Sequence, residues 1–126
     1  MRGVTYDAGA LIAAERGSEM VWTLHRELLR QKVRPTLPTV VLGQAWRGGT
    51  QARLSRLVRG CRIEPLTEQQ ARSAGVALAA SDGRDLVDAA VVVTSLDRGD
   101  LIVTSDPDDL RRIAAAIGRD LAVHVV

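Results

Sequence analysis

The chain has no phenylalanine, one tyrosine, one lysine and one cysteine. With Tyr6, Trp22 and Trp46 as its only large aromatics, it must build its core from Ala, Val, Leu and Ile. That aliphatic supply suits helices packed on a parallel sheet whose strands are buried on both faces. One cysteine excludes an intramolecular disulfide and a Cys-rich zinc site. Cys61, beside an expected strand, reads as a buried, inert thiol. No stretch approaches the ~20 apolar residues of a membrane span, and the first residues lack the apolar segment of a secretory leader. A soluble, cytoplasmic protein without a membrane partner is expected. No Gly-rich loop follows any expected strand, so the common nucleotide-phosphate cradle is missing too.

What is present is enough for one compact domain: 126 residues, 46% of them hydrophobic, which needs no disulfide staple. A single domain over 1–126 is expected. The net charge is only +2, yet 16 of the 17 basic residues are Arg, with Lys32 the exception. Arg grips phosphate through a planar fork; a GC-rich coding bias would leave the same composition.

Short apolar runs alternate with helical spacing along the whole chain. Strands are expected at Gly3–Tyr6, Val33–Leu37, Arg62–Pro65, Leu101–Thr104 and Leu121–Val125, the second placed at a sheet edge because of Pro35. Helices are expected from Ala8 to about Arg16, from Ser18 to about Lys32, and from Pro38 to a stop at Gly48-Gly49. Further helices are expected from about Thr50 to Val58, from a capping box at Thr67-Glu68-Gln69-Gln70 to about Ala80, from Asp85 to Ser95, and from Pro107 to about Ile117. This alternation indicates a parallel sheet with helices on both faces.

The informative residues are aspartates placed where strands hand over to helices. Asp7 follows Val4-Thr5-Tyr6. Asp106 and Asp109 follow Leu101-Ile102-Val103-Thr104. Strand carboxyl ends are where open α/β sheets build sites, and the first and fourth strands are expected to be neighbours, with Asp7 and Asp106 side by side. Asp88 comes one turn after Asp85 on an apolar helix, among Leu86, Val87, Ala89 and Ala90, so its carboxylate needs a partner if buried. Each acid has an ordinary reading: Asp7, Asp85 and Asp106 as helix N-caps, and Asp109 as a first-turn acid. Gathered together, they repel one another unless a divalent cation intervenes, which points to metal-assisted hydrolysis of a phosphate ester.

Tyr6-Asp7-Ala8-Gly9-Ala10-Leu11-Ile12, then Asp88-Ala89 on a helix, then Thr104-Ser105-Asp106-Pro107-Asp108-Asp109-Leu110 after a strand, together resemble a PIN domain. Within that family the set is most similar to the small toxins of VapBC-type toxin–antitoxin modules, over essentially the whole chain. The resemblance implies a three-layer α/β/α sandwich with a five-stranded parallel sheet. It implies an endoribonuclease dependent on Mg²⁺ or Mn²⁺, with Asp7, Asp88 and Asp106 as metal ligands and Asp109 as a further catalytic acid. Asp85 and a hydroxyl from Ser105 or Thr104 would support the pocket. Homodimerisation and silencing by a cognate antitoxin are also implied. One departure stands out: a helix that commonly carries Glu in the family reads Val41-Leu42-Gly43-Gln44-Ala45-Trp46-Arg47 here. Gln44 offers a neutral oxygen and should weaken metal binding.

For an RNA substrate, positive charge is needed near the acids. Arg53, Arg56 and Arg59 recur every third residue on one helix, with Arg47 before and Arg62 after, a ridge able to track a phosphate backbone; a solvated helix face opposite Leu54, Leu57 and Val58 is the ordinary alternative. Trp46 can stack a base or pack in a core or interface, and Trp22 reads as core or interface. Neither histidine supports a metal-free ribonuclease: His25 is placed on a polar helix face and His124 in the last strand. The competing reading is a catalytically weak or inactive PIN-like module that binds RNA or a partner protein, which Gln44 favours. A phosphoacceptor receiver domain is disfavoured, because Asp7 stands alone and Lys32 is in the wrong place.

Overall fold

The computed structural model describes residues 2–126. In chain order the elements are β1 (Val4–Tyr6), α1 (Ala8–Glu15), α2 (Glu19–Arg30), β2 (Thr36–Pro38), α3 (Thr39–Ala45), α4 (Ala52–Arg59), β3 (Arg62–Glu64), α5 (Glu68–Ala80), α6 (Leu86–Arg98), β4 (Leu101–Thr104), α7 (Pro107–Ala116) and β5 (Val123–Val125). The strands form one five-stranded parallel sheet in the order β3-β2-β1-β4-β5. On one face α1 packs with α2, α3 and α4; on the other, α5, α6 and α7 pack with one another. The result is an α/β sandwich of three layers, as the alternating pattern predicts.

The three central strands are covered on both faces. Val4, Thr5 and Tyr6 of β1 are all buried, as are Ile102, Val103 and Thr104 of β4. Leu11, Leu37, Leu54, Leu57, Leu110 and Ile113 fill the layers between sheet and helices. Removing any one of these leucines should cost roughly 2–5 kcal/mol through lost burial plus the cavity left behind. The capping box at Thr67 and Gln70 forms in both directions. Thirteen-residue α6 lies under its neighbours, buried at every position from Ala89 to Ser95, in keeping with its apolar circumference.

Three sequence expectations need correction. The second strand spans Thr36–Pro38, not Val33–Leu37, and it is interior, bonded to β1 on one side and β3 on the other. Pro35 does not force an edge because it lies one residue before the ladder, where its carbonyl accepts the Arg62 N–H at 2.8 Å. Helix α3 stops at Ala45, ahead of Gly48-Gly49, because Gln51 organises the exit. Its amide donates to the Ala45 carbonyl and its side-chain oxygen accepts from the Arg47 and Gly48 N–H groups. His25 is not on a solvated face. It is 3% exposed, hydrogen-bonded through Nδ1 to the Tyr6 hydroxyl at 2.8 Å and packed edge-on against Trp22. Burial pushes the His25 imidazole below its usual range, with Arg26 adding to the effect. His124 is exposed in β5, and Cys61 is a buried free thiol pushed up to about 12 by burial.

Among the described residues no helix is long and apolar enough to cross a membrane.

Candidate metal centre

β1 and β4 are adjacent, in the register Tyr6 opposite Val103. From β1 the chain goes on to β2 on one side; from β4 it goes on to β5 on the other. Their carboxyl ends therefore flank the crevice at the point where strand order reverses, the usual ligand position in an open α/β sheet. Asp7 leaves β1 there and Asp106 leaves β4 two residues beyond the ladder.

Both aspartates occupy helix N-cap positions, yet neither carboxylate caps its helix. Asp7 turns toward β4, and its Oδ2 accepts the Thr104 hydroxyl at 2.8 Å. The same Thr104 oxygen accepts the Asp106 N–H at 3.2 Å, so one buried hydroxyl ties the two acid-bearing turns together. Asp7 is 7% exposed. Its Oδ1 and the Ser95 hydroxyl are the buried side-chain polar atoms that lack a partner among the described residues. An ionised carboxylate oxygen buried without a partner is expensive. Burial raises the Asp7 carboxyl above its ordinary range, and Asp85 and Asp106 push the same way.

Asp85 behaves differently. It is a true cap, its Oδ1 accepting from the Val87 and Asp88 N–H groups at 2.8 and 3.2 Å. That bond fixes the first turn of α6, from which half-buried Asp88 projects. Asp88 is pushed up to about 7, first by burial and then by the negative charges of Asp85, Asp7, Asp109 and Asp106. The acids read from sequence therefore share one electrostatic neighbourhood. Asp85, Asp88 and Asp109 line a cavity of about 510 Å³ together with Arg84 and Arg112. Asp109 is held by Arg112 at 2.8 Å. The two arginines were missed in sequence; the Asp109–Arg112 spacing of one helical turn was the available signal.

Space for the crevice comes from Gly9, in the first turn of α1. A Cβ there would meet the Ser105 hydroxyl at 2.0 Å and the Ser105 backbone N at 2.9 Å. Only glycine lets the β4–α7 turn approach α1 this closely. Gln44 lies half-buried on α3, a helix in contact with α1 and with α6, the bearer of Asp88. Arg47 is turned back on the end of α3, its guanidinium donating to the Gly43 and Trp46 carbonyls. Trp46 is exposed, not packed in the core.

The residues present suit a hard divalent cation: oxygen donors only, a buried carboxylate oxygen without a partner, and clustered negative charge that raises a neighbouring carboxyl. As the side chains stand, no three His, Cys, Asp or Glu residues among those described converge closely enough to hold one ion.

No protein-family model matches the chain, and no curated protein matches it in sequence. Solved structures do. VapBC2 from Rickettsia felis, bound to a DNA fragment from its promoter, superposes with a TM-score of 0.71 at 11% identity, over 98% of this chain and 98% of that one. PAE2754 from Pyrobaculum aerophilum gives a TM-score of 0.66 at 12% identity, over 97% of this chain and 83% of that one. FitAB bound to an IR36 DNA fragment gives 0.66 at 16% identity, over 97% of this chain and 94% of that one. At these identities the likeness establishes the shared α/β fold.

Proposed function

We propose that this protein is a Mg²⁺- or Mn²⁺-dependent endoribonuclease of the VapC toxin type, cutting RNA phosphodiester bonds at the crevice between β1 and β4. The observation that carries the reading is Asp7 Oδ1, buried and without a partner where four further acids gather. The motif resemblance to VapBC-type toxins, and a fold shared with a VapBC2 structure, support the same class.

Asp7, Asp88 and Asp106 would hold the ion, directly or through water. When bound, the ion supplies an acidified water and neutralises charge developing on the phosphate. The chain's own part is positional. Thr104 orients the Asp7 carboxylate, so that Oδ2 is spent on the hydroxyl and Oδ1 faces the ligand. Asp85 locks the turn that presents Asp88. Arg84 and Arg112, on the wall of the acidic cavity, are placed to seat the non-bridging oxygens of a phosphodiester. Asp109, tethered by Arg112, takes the proton from the attacking water. That water's oxygen bonds to phosphorus, the bond to the 3′-oxygen breaks, the released 3′-oxygen takes a proton from solvent water, and the products carry a 5′-phosphate and a 3′-hydroxyl. A cognate antitoxin and a homodimer are the partners this reading carries.

A second reading, a weak or inactive PIN-like module that binds RNA or a protein, is favoured by Gln44, which removes one negative charge from the expected ligand set. Total cellular RNA incubated with Mg²⁺, Mn²⁺ or EDTA, beside Asp7→Asn and Asp106→Asn variants, separates the two. Discrete cleavage abolished by EDTA and by both substitutions establishes the nuclease. Its absence from folded, antitoxin-free protein leaves the binding module.

A further inference from the structure

The acidic crevice raises a problem for its own substrate: five carboxylates repel a polyanion, and the chain's net charge of +2 gives little long-range attraction. Affinity for RNA therefore has to come from a local concentration of positive charge. The structure has one, away from the crevice. Between α2 and α4 lies a cleft of about 700 Å³. Arg26 of α2 lines one wall and Arg53, Arg56 and Arg59 of α4 the other, against a single acid, Glu19.

Several features set this cleft apart from a merely solvated basic face. Guanidinium groups flank it from two helices, so it is a channel and not a ridge. Its floor is rigid: the Trp22 indole N–H donates to the Ala14 carbonyl at 2.9 Å, its edge meets His25, and Arg56 lies 5.3 Å from its ring centre. Helix α4 is itself fixed, because a Glu15 carboxylate oxygen from α1 accepts the Leu54 N–H at 2.6 Å and so caps α4 from outside. Residues three apart on α4 rise by about 4.5 Å, so the arginines form an evenly spaced file.

The cleft also connects to the acids. Gly17 lines it and also lines a smaller depression, about 320 Å³, that runs past Ala13 and Ile12 to Ser105 and to Gly9, two residues after Asp7. The route follows α1, whose eight residues span about 12 Å.

We propose that the α2–α4 cleft anchors the RNA backbone at phosphates several nucleotides from the scissile bond, the intervening strand lying along α1. The inference rests on the nuclease reading for its ligand, and extends the expected arginine ridge to Arg26, Trp22 and a defined channel. The basic residues of the lining, Arg26, Arg53, Arg56 and Arg59, fit planar, bidentate phosphate recognition, and continuity with the crevice favours RNA over an acidic peptide.

The test is binding of a fluorescein-labelled single-stranded RNA in EDTA, where cleavage does not enter. Wild type is compared with the triple variant Arg26→Gln/Arg53→Gln/Arg59→Gln, and with the single Arg59→Glu. Arg56 is left in place because it packs on Trp22. We expect Kd to rise at least tenfold in the triple variant. The slope of log affinity against log salt should fall by about 2, since each neutralised single-strand phosphate contributes about 0.7. Unchanged affinity and slope in both variants, with folding confirmed by circular dichroism, would overturn the proposal. So would a polyglutamate peptide bound through these arginines while RNA binding is untouched, which would assign the cleft to an acidic protein partner. Parallel cleavage assays in Mn²⁺ keep the two ideas apart. Cleavage with unaltered binding removes the cleft and leaves the nuclease; arginine-dependent binding without cleavage does the reverse.

Discussion

The two ends of the β1–β4 pair carry the same motif with opposite outcomes. At the amino end, Asp100 is buried and accepts the Thr5 hydroxyl at 2.7 Å, and Arg98 completes the group by donating to Asp100 at 2.9 Å and to Thr5 at 3.0 Å. At the carboxyl end, Asp7 is equally buried and accepts the Thr104 hydroxyl, but no guanidinium arrives. Each end even has a glycine making room, Gly3 for Asp100 and Gly9 for Ser105. On the function proposed above, the difference separates an aspartate that holds the fold from one that binds a ligand. At the amino end the charge is matched within the chain; at the carboxyl end it is left open among further acids.

The sharpest way to break this comparison is to neutralise each aspartate. Asp7→Asn and Asp106→Asn should reduce RNA cleavage to background. In metal-free protein, Asp7→Asn should also raise the unfolding midpoint, because it relieves an uncompensated charge. Asp100→Ala should do the opposite: no direct loss of chemistry, but about 3 kcal/mol of stability lost in urea unfolding, since a half-covered Arg98 is left unpaired. If Asp7→Asn destabilises as Asp100→Ala does, the distinction collapses.

A smaller effect is expected from the paired hydroxyls. Thr104→Val and Thr5→Val should each cost about 1–2 kcal/mol in denaturant, while only Thr104→Val weakens Mn²⁺ binding measured by calorimetry. Titration sharpens the contrast further. Asp88 has a folded-state value of about 7, above its ordinary one. Protonation therefore favours the folded state: the stabilisation is complete below about pH 4 and is lost as pH rises through 7. The melting temperature of metal-free wild type should fall relative to Asp88→Asn between those limits, and Mn²⁺ should restore it. His25, depressed by burial, works in the other direction, losing its contribution as pH drops below about 6.5, and cancels in the wild-type minus Asp88→Asn difference. The smallest change is expected from Gln44→Glu: a severalfold tighter Mn²⁺ Kd with little change in stability.

Much of this was legible in the residues. Leu101–Thr104 reads as a strand because four apolar or β-branched residues sit between Gly99-Asp100 and Ser105-Asp106-Pro107. The capping box and the Asp85 cap are local hydrogen-bond chemistry, which sequence spacing encodes directly. The placing of Asp7 and Asp106 at neighbouring strand ends followed from strand order, and Asp88 joined them through the resemblance. Other features depend on contacts between distant residues and leave no local trace. His25 is followed by polar Arg26 and Glu27, and only the approach of α2 to β1 brings it to the Tyr6 hydroxyl. The end of α3 is set by Gln51, six residues further on. Pro35 suggested an edge because a three-residue strand leaves no pattern to show that the ladder begins after it. That the Asp7 carboxylate would leave its helix uncapped could not be read at all: Asp7 occupies the same kind of position as Asp85, and the difference lies in Thr104, a residue 97 positions from Asp7.

That separation has a consequence for biosynthesis. A nascent chain displaying β1 and α1 already contains Asp7, but Thr104 emerges from the ribosome 97 residues later. Pairing across so long a loop is the slow part of forming such a sheet, so the crevice comes into being last. On the nuclease reading proposed above, a growing chain is thereby harmless to the message it is being read from until β4 has paired with β1.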